Sequence, residues 1–451
     1  MTGSLDDTIV SISTAPGRGA IAVIRLSGPE ALTIAARHVS PWETEPRRAQ
    51  LVTVHADGEP LDQALVTIFP GPDSFTGDDV VEISTHGGLL VPASVVAALI
   101  ASGARQAEPG EFTRRAVLNG KLDILQAEAI GDLIDAHSHS MQRAALQQLD
   151  AGLSRRLAAV REDLIGLEAL IAYDIDFPEE DDGPVPREKI ETASKTLGVM
   201  IDALLATAPA GELIREGAVV VIAGAPNVGK SSLFNALIGR SRAIVTEIPG
   251  TTRDAIEAVI DSGTWPLRLV DTAGLRATED AIEQIGIEVS QRYLAAAQVV
   301  LACSDTDSGM EETARAIAER SAAPVIKVRT KQDLVPSGNQ LGSDPDVVCV
   351  SAETGAGLPQ LLAAIDRILQ LKHGAIAPDM PILTRARHRH ALEAARSELS
   401  QFERAWKEDK LPATVASVHL RAAVGALEEL IGAVDIEDVF DRVFSSFCVG
   451  K

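Results

Sequence analysis

The chain has 451 residues, too many for one ordinary hydrophobic core, so its length predicts two or three domains. Its 46% hydrophobic and 23% charged residues exclude a disordered chain, and its 3% aromatic residues leave few platforms on which nucleic-acid bases could stack. The net charge of −23 argues against a protein that grips nucleic acid by itself, because such binding depends on Lys and Arg.

Three cysteines do not make a disulfide framework, which favours a reducing cytosol. Residues 1–14 lack the basic and then apolar order of a signal peptide. We also expect no apolar run to approach the roughly 20 residues that a bilayer-spanning helix needs. These features predict a soluble, cytoplasmic protein.

Residues 1–118 are predicted to form an α+β domain with antiparallel strands. Short β-type runs, each bounded by Gly, Pro or Asp, predict strands at 8–12, 21–26, 51–55, 65–69 and 80–84. Helices are expected at 29–38 and 90–102.

From about Lys121 the hydrophobic period becomes helical. Seven apolar residues recur at three- and four-residue spacing and are expected on one helix face: Leu149, Leu153, Leu157, Val160, Leu164, Leu167 and Ile171. A second helix is expected after the acidic loop 176–186, and more helix over 384–447.

A different pattern interrupts the helices. Residues 218–223 form a buried-strand pattern, after which strands and helices alternate to about His373. The sequence therefore predicts a multidomain α/β protein: an N-terminal α+β domain (1–118), a discontinuous α-helical domain (119–214 and 376–451) and an inserted parallel α/β domain (215–375).

The inserted domain begins with a phosphate-binding loop. Gly224, Gly229, Lys230 and Ser231 stand at the spacing GxxxxGKS between a hydrophobic strand and a helical pattern, which is the context the motif requires. Glycines let backbone N–H groups wrap phosphates, and the helix N-terminus adds positive potential. We expect Lys230 to reach the β- and γ-phosphates and Ser231 to bind Mg²⁺. The alternative, that these residues form a glycine-rich turn by chance, is disfavoured by the strand and helix on either side.

Further motifs in order favour GTP over ATP. Residues 271–274 (DTAG) follow a strand, where Asp271 can hold a Mg²⁺-bound water and is less easily explained as a surface turn. Residues 330–333 (TKQD) occupy the place of a guanine-specificity loop, in which the Asp333 carboxylate accepts from guanine N1–H and the 2-amino group. Thr330 stands where Asn is commoner, so base contacts are expected to be weaker. Ser351 and Ala352 supply the remaining base-side loop.

Two residues bear on hydrolysis. Leu275 follows Gly274, where many small GTPases have a water-orienting Gln, so another group must orient the water. Asn227 can face the phosphates, and residues 246–254 could wrap the same region around a monovalent cation that neutralises charge between the phosphates. A loop-stabilising Asx turn remains the alternative for Asn227.

The whole chain resembles one family, the tRNA modification GTPase MnmE (TrmE) family. Within the inserted domain the resemblance rests on residues 227–232 (NVGKSS) and 250–254 (GTTRD). Outside it, the more distinctive motifs are 74–80 (SFTGDDV), 110–116 (GEFTRRA), 118–123 (LNGKLD) and the terminal 447–451 (FCVGK).

This resemblance implies a Ras-like TrmE-type G domain and its ligands. K⁺ would be held by Asn227, Thr246, Ile248 and Thr251, and Mg²⁺ by Ser231 and Thr252. Glu283, otherwise interpretable as an exposed helix-face acid, matches the family's catalytic glutamate, which orients the attacking water. The residues expected at GTP are Asn227, Val228, Gly229, Lys230, Ser231, Ser232, Thr246, Glu247, Ile248, Pro249, Gly250, Thr251, Thr252, Asp271, Thr272, Ala273, Gly274, Thr330, Lys331, Asp333, Ser351 and Ala352.

The resemblance also implies a tetrahydrofolate-binding and dimerisation module at the N-terminus. Arg25, Glu82, Lys121 and Lys451 would contact a tetrahydrofolate derivative, although each alone is more typical of a surface charge. Cys448 would serve the modification but not GTP hydrolysis, unless it is a buried small hydrophobe.

Cys303 and Cys349 lie in apolar strand patterns and are expected to be inert core residues.

The implied function is a homodimeric, potassium-activated GTPase acting with the flavoprotein MnmG (GidA), which brings FAD, as a heterotetramer. Together they would add an aminomethyl-type group to C5 of the wobble uridine of certain tRNAs. Two alternatives remain: a GTP-dependent assembly factor that binds ribosomal RNA, and a folate-dependent transferase with a vestigial G domain. The motifs at 110–123 and Cys448 argue against the first, and intact Lys230, Ser231 and Asp271 against the second.

Overall fold

The structure is a computed structural model that forms two compact units. One unit comprises Met1–Gly131 with Ile431–Lys451, and the other comprises Asp132–Leu430. The described residues are 6–43, 45–176, 186–240, 256–271, 292–335, 346–374, 381–408, 413–432, 447 and 450. The domain boundaries predicted above stay predictions.

The first unit is built on a seven-stranded sheet in the order β3-β4-β5-β6-β2-β1-β7. Its strands are β1 (Ile9–Ile12), β2 (Ile21–Ser27), β3 (Val39–Ser40), β4 (Gln50–Ala56), β5 (Glu59–Phe69), β6 (Val80–His86) and β7 (Arg105–Gln106). All neighbours pair antiparallel except β1 and β7, which pair parallel. The predicted α+β class and antiparallel strands are confirmed.

Helices α1 (Ala31–His38) and α2 (Leu90–Ala101) cover one face of this sheet. Alternate strand residues such as Ile24, Leu26 and Ile83 point into the core beneath them, as the period-two pattern requires. Two further helices follow, α3 (Glu111–Leu118) and α4 (Ile124–Ile134).

The distinctive motifs at 74–80 and 110–123 meet in this unit. Asn119 donates from its amide to the Thr76 carbonyl at 2.7 Å. The fully buried Arg115 guanidinium lies 3.1 Å from a Glu111 carboxylate oxygen and 3.9 Å from one of Asp78. These contacts pin the loop before β6 against α3.

The C-terminal end reaches the same unit. Gly450 accepts at its carbonyl a 2.9 Å hydrogen bond from the Ser13 hydroxyl. A Cβ at position 450 would lie 2.4 Å from the Ile12 carbonyl oxygen, so only glycine fits this close approach.

The described residues of the second unit contain the helices α5 (His139–Leu149), α6 (Gly152–Asp176), α7 (Arg187–Leu205), α8 (Ala208–Glu216), α9 (Lys230–Arg240), α10 (Asp307–Ala318), α11 (Leu358–His373), α12 (Ala386–Glu408) and α13 (Ala413–Ile431). Six of the seven apolar residues predicted on one helix face are buried along α6. The prediction was wrong for Leu149, which ends α5. The helix is interrupted at Asp150 and Ala151, where Ala151 adopts a left-handed φ of 57°, and α6 begins at Gly152.

The sheet of the second unit has the order β13-β12-β11-β8-β10-β9. Its strands are β8 (Ala218–Gly224), β9 (Ile256–Asp261), β10 (Pro266–Asp271), β11 (Val299–Ser304), β12 (Val325–Arg329) and β13 (Val347–Cys349). Five strands run parallel, which confirms the predicted parallel α/β class, and the edge strand β9 pairs antiparallel with β10. The two strands are joined by the short turn 262–265, which forces the antiparallel arrangement.

Helices α5 and α8 share a core with this sheet. Ala144 of α5 and Leu213 and Ile214 of α8 belong to the same buried cluster as strand residues Val220 and Leu269. Helices α5 and α8 are therefore packed directly on β8 and β10, the strands that end at Gly224 and Asp271.

Ion pairs join distant helical segments around α8. The buried Asp132 carboxylate accepts from Arg215 at 3.2 Å and from Arg385 at 2.7 Å. Glu212 accepts from Arg389 at 2.8 Å. The chain segments that enter and leave the α/β part are thus fixed to each other.

Among the described residues, one helical stretch is long and apolar enough to cross a membrane, judged by length and composition alone. Arg187–Glu216, which spans α7 and α8, contains an 18-residue window of mean hydropathy 1.5. The expectation that no segment approaches such a length was therefore too strict. Half of that window is buried inside the protein, with residues such as Leu197, Ile201 and Leu204 in its core, which is typical of a core helix.

Candidate functional site

A phosphate-binding loop joins the central strand β8 to helix α9. Within six residues, Gly224, Asn227 and Gly229 adopt positive φ values of 155°, 63° and 97°. Such a succession turns backbone N–H groups toward a common centre and makes an anion-binding concavity. Gly224 is also sterically required, since a Cβ there would lie 2.3 Å from the Cys303 carbonyl oxygen of β11.

Lys230 and Ser231 begin α9 at this loop. The largely buried Lys230 ammonium donates to the Ala225 carbonyl at 2.8 Å, across the loop mouth. The Ser231 hydroxyl donates to an Asp271 carboxylate oxygen at 2.7 Å, and Asp271 is buried at the end of β10. A hydroxyl and a carboxylate are oxygen ligands of the kind Mg²⁺ prefers, so this pair fits the expected metal.

The base-side loops stand beside the phosphate loop. Lys331 donates from Nζ to the Asn227 carbonyl at 2.7 Å and to the Asp305 carboxylate at 2.9 Å. Its ammonium holds the pKa of the Asp305 carboxyl below its usual value. Asp333 is exposed, and its Oδ1 accepts a 2.6 Å hydrogen bond from the buried Ser351 hydroxyl, which fixes the orientation of the carboxylate.

A cleft of about 930 Å³ opens on the loop. Its floor is formed by residues 223–232 and its walls by the end of β11 and by α10, including Asp305, Glu312 and Arg320. A volume of this order accommodates a ligand of nucleotide size. Cys303, beneath the loop, is fully buried, and burial raises the pKa of its thiol to about 12, as expected of an inert core residue.

In the first unit, Arg25 and Glu82 are cross-strand partners on β2 and β6. The Arg25 guanidinium donates from Nε at 3.0 Å and from Nη2 at 2.7 Å to one Glu82 oxygen. Its carbon lies 5.3 Å from the Phe75 ring centre and 5.7 Å from that of Phe112, within range of cation–π attraction. Lys121 is exposed just after α3.

The described residues therefore bring together much of the predicted nucleotide site: the loop 227–232, Asp271, Lys331, Asp333 and Ser351 with Ala352 beside it. Thr330 is also present, buried at the end of β12. The predictions that lie outside the described residues concern Thr246, Glu247, Ile248, Pro249, Gly250, Thr251, Thr252, Thr272, Ala273, Gly274, Glu283, Cys448 and Lys451.

Three contact residues were missed by the sequence interpretation. Asp305 follows β11, and its position after a parallel strand at the site's edge was a usable signal. Phe75 and Phe112 stand inside motifs that were noted, but nothing in the sequence linked either ring to Arg25.

Two family models match most of the chain. The model described as "GTP-binding protein TrmE N-terminus" matches residues 8–121, and the "MnmE helical domain" model matches residues 124–448.

Full-length relatives agree with these models. A tRNA modification GTPase MnmE of Moorella thermoacetica is 42% identical over 464 residues, covering 99% of this chain and 100% of the relative. Proteins of the same name from Methylobacterium radiotolerans and Thermotoga petrophila are 43% and 39% identical, each with 99% of this chain covered and 99% and 100% of the relatives. Among solved structures, the G domain of the T. maritima FeoB iron transporter is 30% identical, with 34% of this chain and 99% of that chain covered and a TM-score of 0.27.

Proposed function

The chain belongs to the MnmE family of tRNA modification GTPases, and from that premise we propose that it is a homodimeric, potassium-activated GTPase that modifies the wobble uridine of certain tRNAs together with the flavoprotein MnmG. It would add an aminomethyl-type group to C5 by using a one-carbon unit from tetrahydrofolate in the cytoplasm. The observation that carries the GTPase assignment is the convergence of Lys230, Ser231, Asp271 and Asp333 around one loop.

The chain's own groups divide the work of hydrolysis. Lys230 would leave the Ala225 carbonyl to reach the β- and γ-phosphates. Ser231 and Thr252 would hold Mg²⁺, with Asp271 on a Mg²⁺-bound water, and the ion would supply positive charge to the phosphates. The loop N–H groups bind phosphate oxygens. Glu283 orients the attacking water, a role that Leu275 cannot fill.

Potassium activation is supported by Asn227. Its backbone is left-handed at the mouth of the loop, and its side chain forms no hydrogen bond within the described part of the chain. The alternative, an Asx turn, needs such a bond. The Asn227 side-chain oxygen is therefore available to a cation beside the phosphates, with Thr246, Ile248 and Thr251 as the other proposed ligands.

The proposed folate site is supported by the Arg25–Glu82 pair. Its partly exposed guanidinium and carboxylate, flanked by Phe75, offer a planar ring both charge and a stacking surface. The amino-pyrimidine edge of a pterin would bind the Glu82 carboxylate, either alongside Arg25 or in its place. Lys121 and Lys451 would bind the glutamyl tail.

The division of labour with MnmG follows from charge. A chain with a net charge of −23 is poorly suited to hold tRNA alone, so the partner would supply most of the tRNA-binding surface. The competing assignment, a GTP-dependent assembly factor, would share the G domain but not the wobble chemistry.

The central experiment is mass spectrometry of wobble nucleosides from cells in which the gene is deleted and then restored. Restoration with the wild type should return the modified uridine, whereas Lys230→Ala should not. Unchanged nucleosides after deletion would exclude the tRNA function and favour the assembly factor.

The cation proposal has its own test, the GTP hydrolysis rate in potassium compared with sodium. The wild type should be faster in potassium, and Asn227→Ala should remove the difference. Asn235→Ala, an exposed asparagine on α9, is the matched control and should keep it. Equal wild-type rates in both salts would refute potassium activation.

Folate binding is tested by calorimetry with 5-formyltetrahydrofolate. Glu82→Gln should lower the affinity, and Glu59→Gln, an exposed change on β5, should not. If both variants bind as the wild type does, the site lies elsewhere.

A further inference from the structure

Thr330 occupies the first position of the guanine-specificity loop, yet its contacts lead to the phosphate loop. It is 4% exposed at the end of β12. Its hydroxyl donates to the carbonyl of Val228 in the phosphate loop and lies 3.3 Å from the carbonyl of Ser304. Its backbone N–H donates to the same Ser304 carbonyl at 2.9 Å.

The number of hydrogens on this side chain limits what it can read. A hydroxyl carries a single hydrogen, and both nearby partners, Val228 and Ser304, offer only acceptor oxygens. The N7 and O6 atoms on the outer edge of guanine are also acceptors. Once the hydrogen serves Val228, Thr330 has none to donate to the base, whereas an asparagine amide carries two.

Lys331 also binds the phosphate loop: its ammonium donates to the Asn227 carbonyl and to the Asp305 carboxylate. Successive residues of the base-side loop thus grip successive carbonyls of the phosphate loop, Asn227 and Val228. The exposed Asp333, oriented by Ser351, is the residue of this loop left to face a base.

We propose that Thr330 is a positioning residue for the phosphate loop and makes no hydrogen bond to guanine, so that this loop selects the base through Asp333 on the N1 and 2-amino edge. The inference rests only on guanine-nucleotide binding. It is independent of potassium, folate and tRNA, so its failure is separable from theirs.

The test uses the full-length protein and three ligands: GDP, 7-deaza-GDP, which lacks the N7 acceptor, and IDP, which lacks the 2-amino group. Dissociation constants are measured for the wild type, Thr330→Val and Thr330→Ser. Valine matches threonine in shape without the hydroxyl, and serine keeps the hydroxyl.

We expect Thr330→Val to weaken the binding of GDP and of 7-deaza-GDP by the same factor. That factor should be about three- to tenfold, because one hydrogen bond is lost and a buried carbonyl is left unpaired. Thr330→Ser should recover most of this loss. The ratio of GDP to 7-deaza-GDP affinity should be the same in all three proteins, and IDP should bind more weakly than GDP in each because Asp333 is intact.

Two results would overturn the proposal. If the preference for GDP over 7-deaza-GDP falls in Thr330→Val, the hydroxyl reads N7. If Thr330→Val, with far-UV circular dichroism and melting temperature like those of the wild type, binds GDP unchanged, the contact to Val228 does not position the loop.

Discussion

Gly224 is where the phosphate loop is most sensitive to a single added carbon. In Gly224→Ala the new Cβ would lie 2.3 Å from the Cys303 carbonyl oxygen and 3.2 Å from a Val228 methyl group. The carbonyl cannot retreat easily, because Gly224 and Cys303 are register partners in the β8–β11 ladder. Overpacking of this kind costs about 1–3 kcal/mol, and a non-glycine residue at positive φ costs about another 1–3 kcal/mol. We expect a destabilisation of about 3 kcal/mol or more.

The effect is measured by thermal unfolding and by GDP binding of the full chain. At roughly 2–4 °C per kcal/mol, the melting temperature of the second unit should fall by roughly 6–12 °C, and GDP affinity should drop at least about tenfold as the loop opens.

Gly239→Ala is the matched control. It lies on α9 with open space around its Cβ position, and it should stabilise by about 0.5–1 kcal/mol. A Gly224→Ala protein that melts within about 2 °C of the wild type and binds GDP normally would refute the steric argument.

Three further predictions concern other parts of the chain. Asp132→Ala removes the carboxylate shared by Arg215 and Arg385 and should lower the free energy of unfolding in urea by about 1–3 kcal/mol. The control Asp135→Ala, at an exposed position, should change it by less than about 0.5 kcal/mol, and equal effects would contradict a stabilising role of the two ion pairs. Burial alone would raise the pKa of the Glu111 carboxyl, but hydrogen bonds led by Arg105 outweigh it and lower the pKa, so its stabilising effect is present near neutral pH and lost in acid. Glu111→Gln should therefore melt below the wild type at pH 6, with a gap that narrows as the pH falls below the usual titration range of a glutamate; a constant gap would be inconsistent with this titration. Cys448→Ser should leave GTP hydrolysis near normal and remove the modified wobble uridine from tRNA; persistence of that nucleoside would make Cys448 structural.

Local patterns were sufficient to predict most strands and the phosphate loop. Runs such as 218–224 are short, apolar and bounded by glycine, so their state hardly depends on distant residues. The end of α5 was different. Nothing before Gly152 marks a break, and Ala151 adopts its left-handed backbone although alanine favours helix.

The contacts that organise the site lay beyond local patterns. Asp132, Arg215 and Arg385 are far apart in the sequence, and each alone reads as a surface charge. The hydroxyl of Thr330 could be recognised as a departure from asparagine, but its acceptor, the Val228 carbonyl, is a backbone atom with no sequence signature.

The hairpin of β9 and β10 carries Asp261 at its tip, far along both strands from Asp271. Asp261 accepts from the backbone N–H and the imidazole of His139, the first residue of α5. A carboxylate at a helix N-terminus accepts a hydrogen bond from an N–H that has no partner within the helix, and its negative charge interacts favourably with the positive end of the helix dipole. A shift of this hairpin by one residue would move the Asp261 carboxylate away from the His139 N–H. The register that places Asp271 at the end of β10 is therefore the same register that satisfies this N–H at the start of α5.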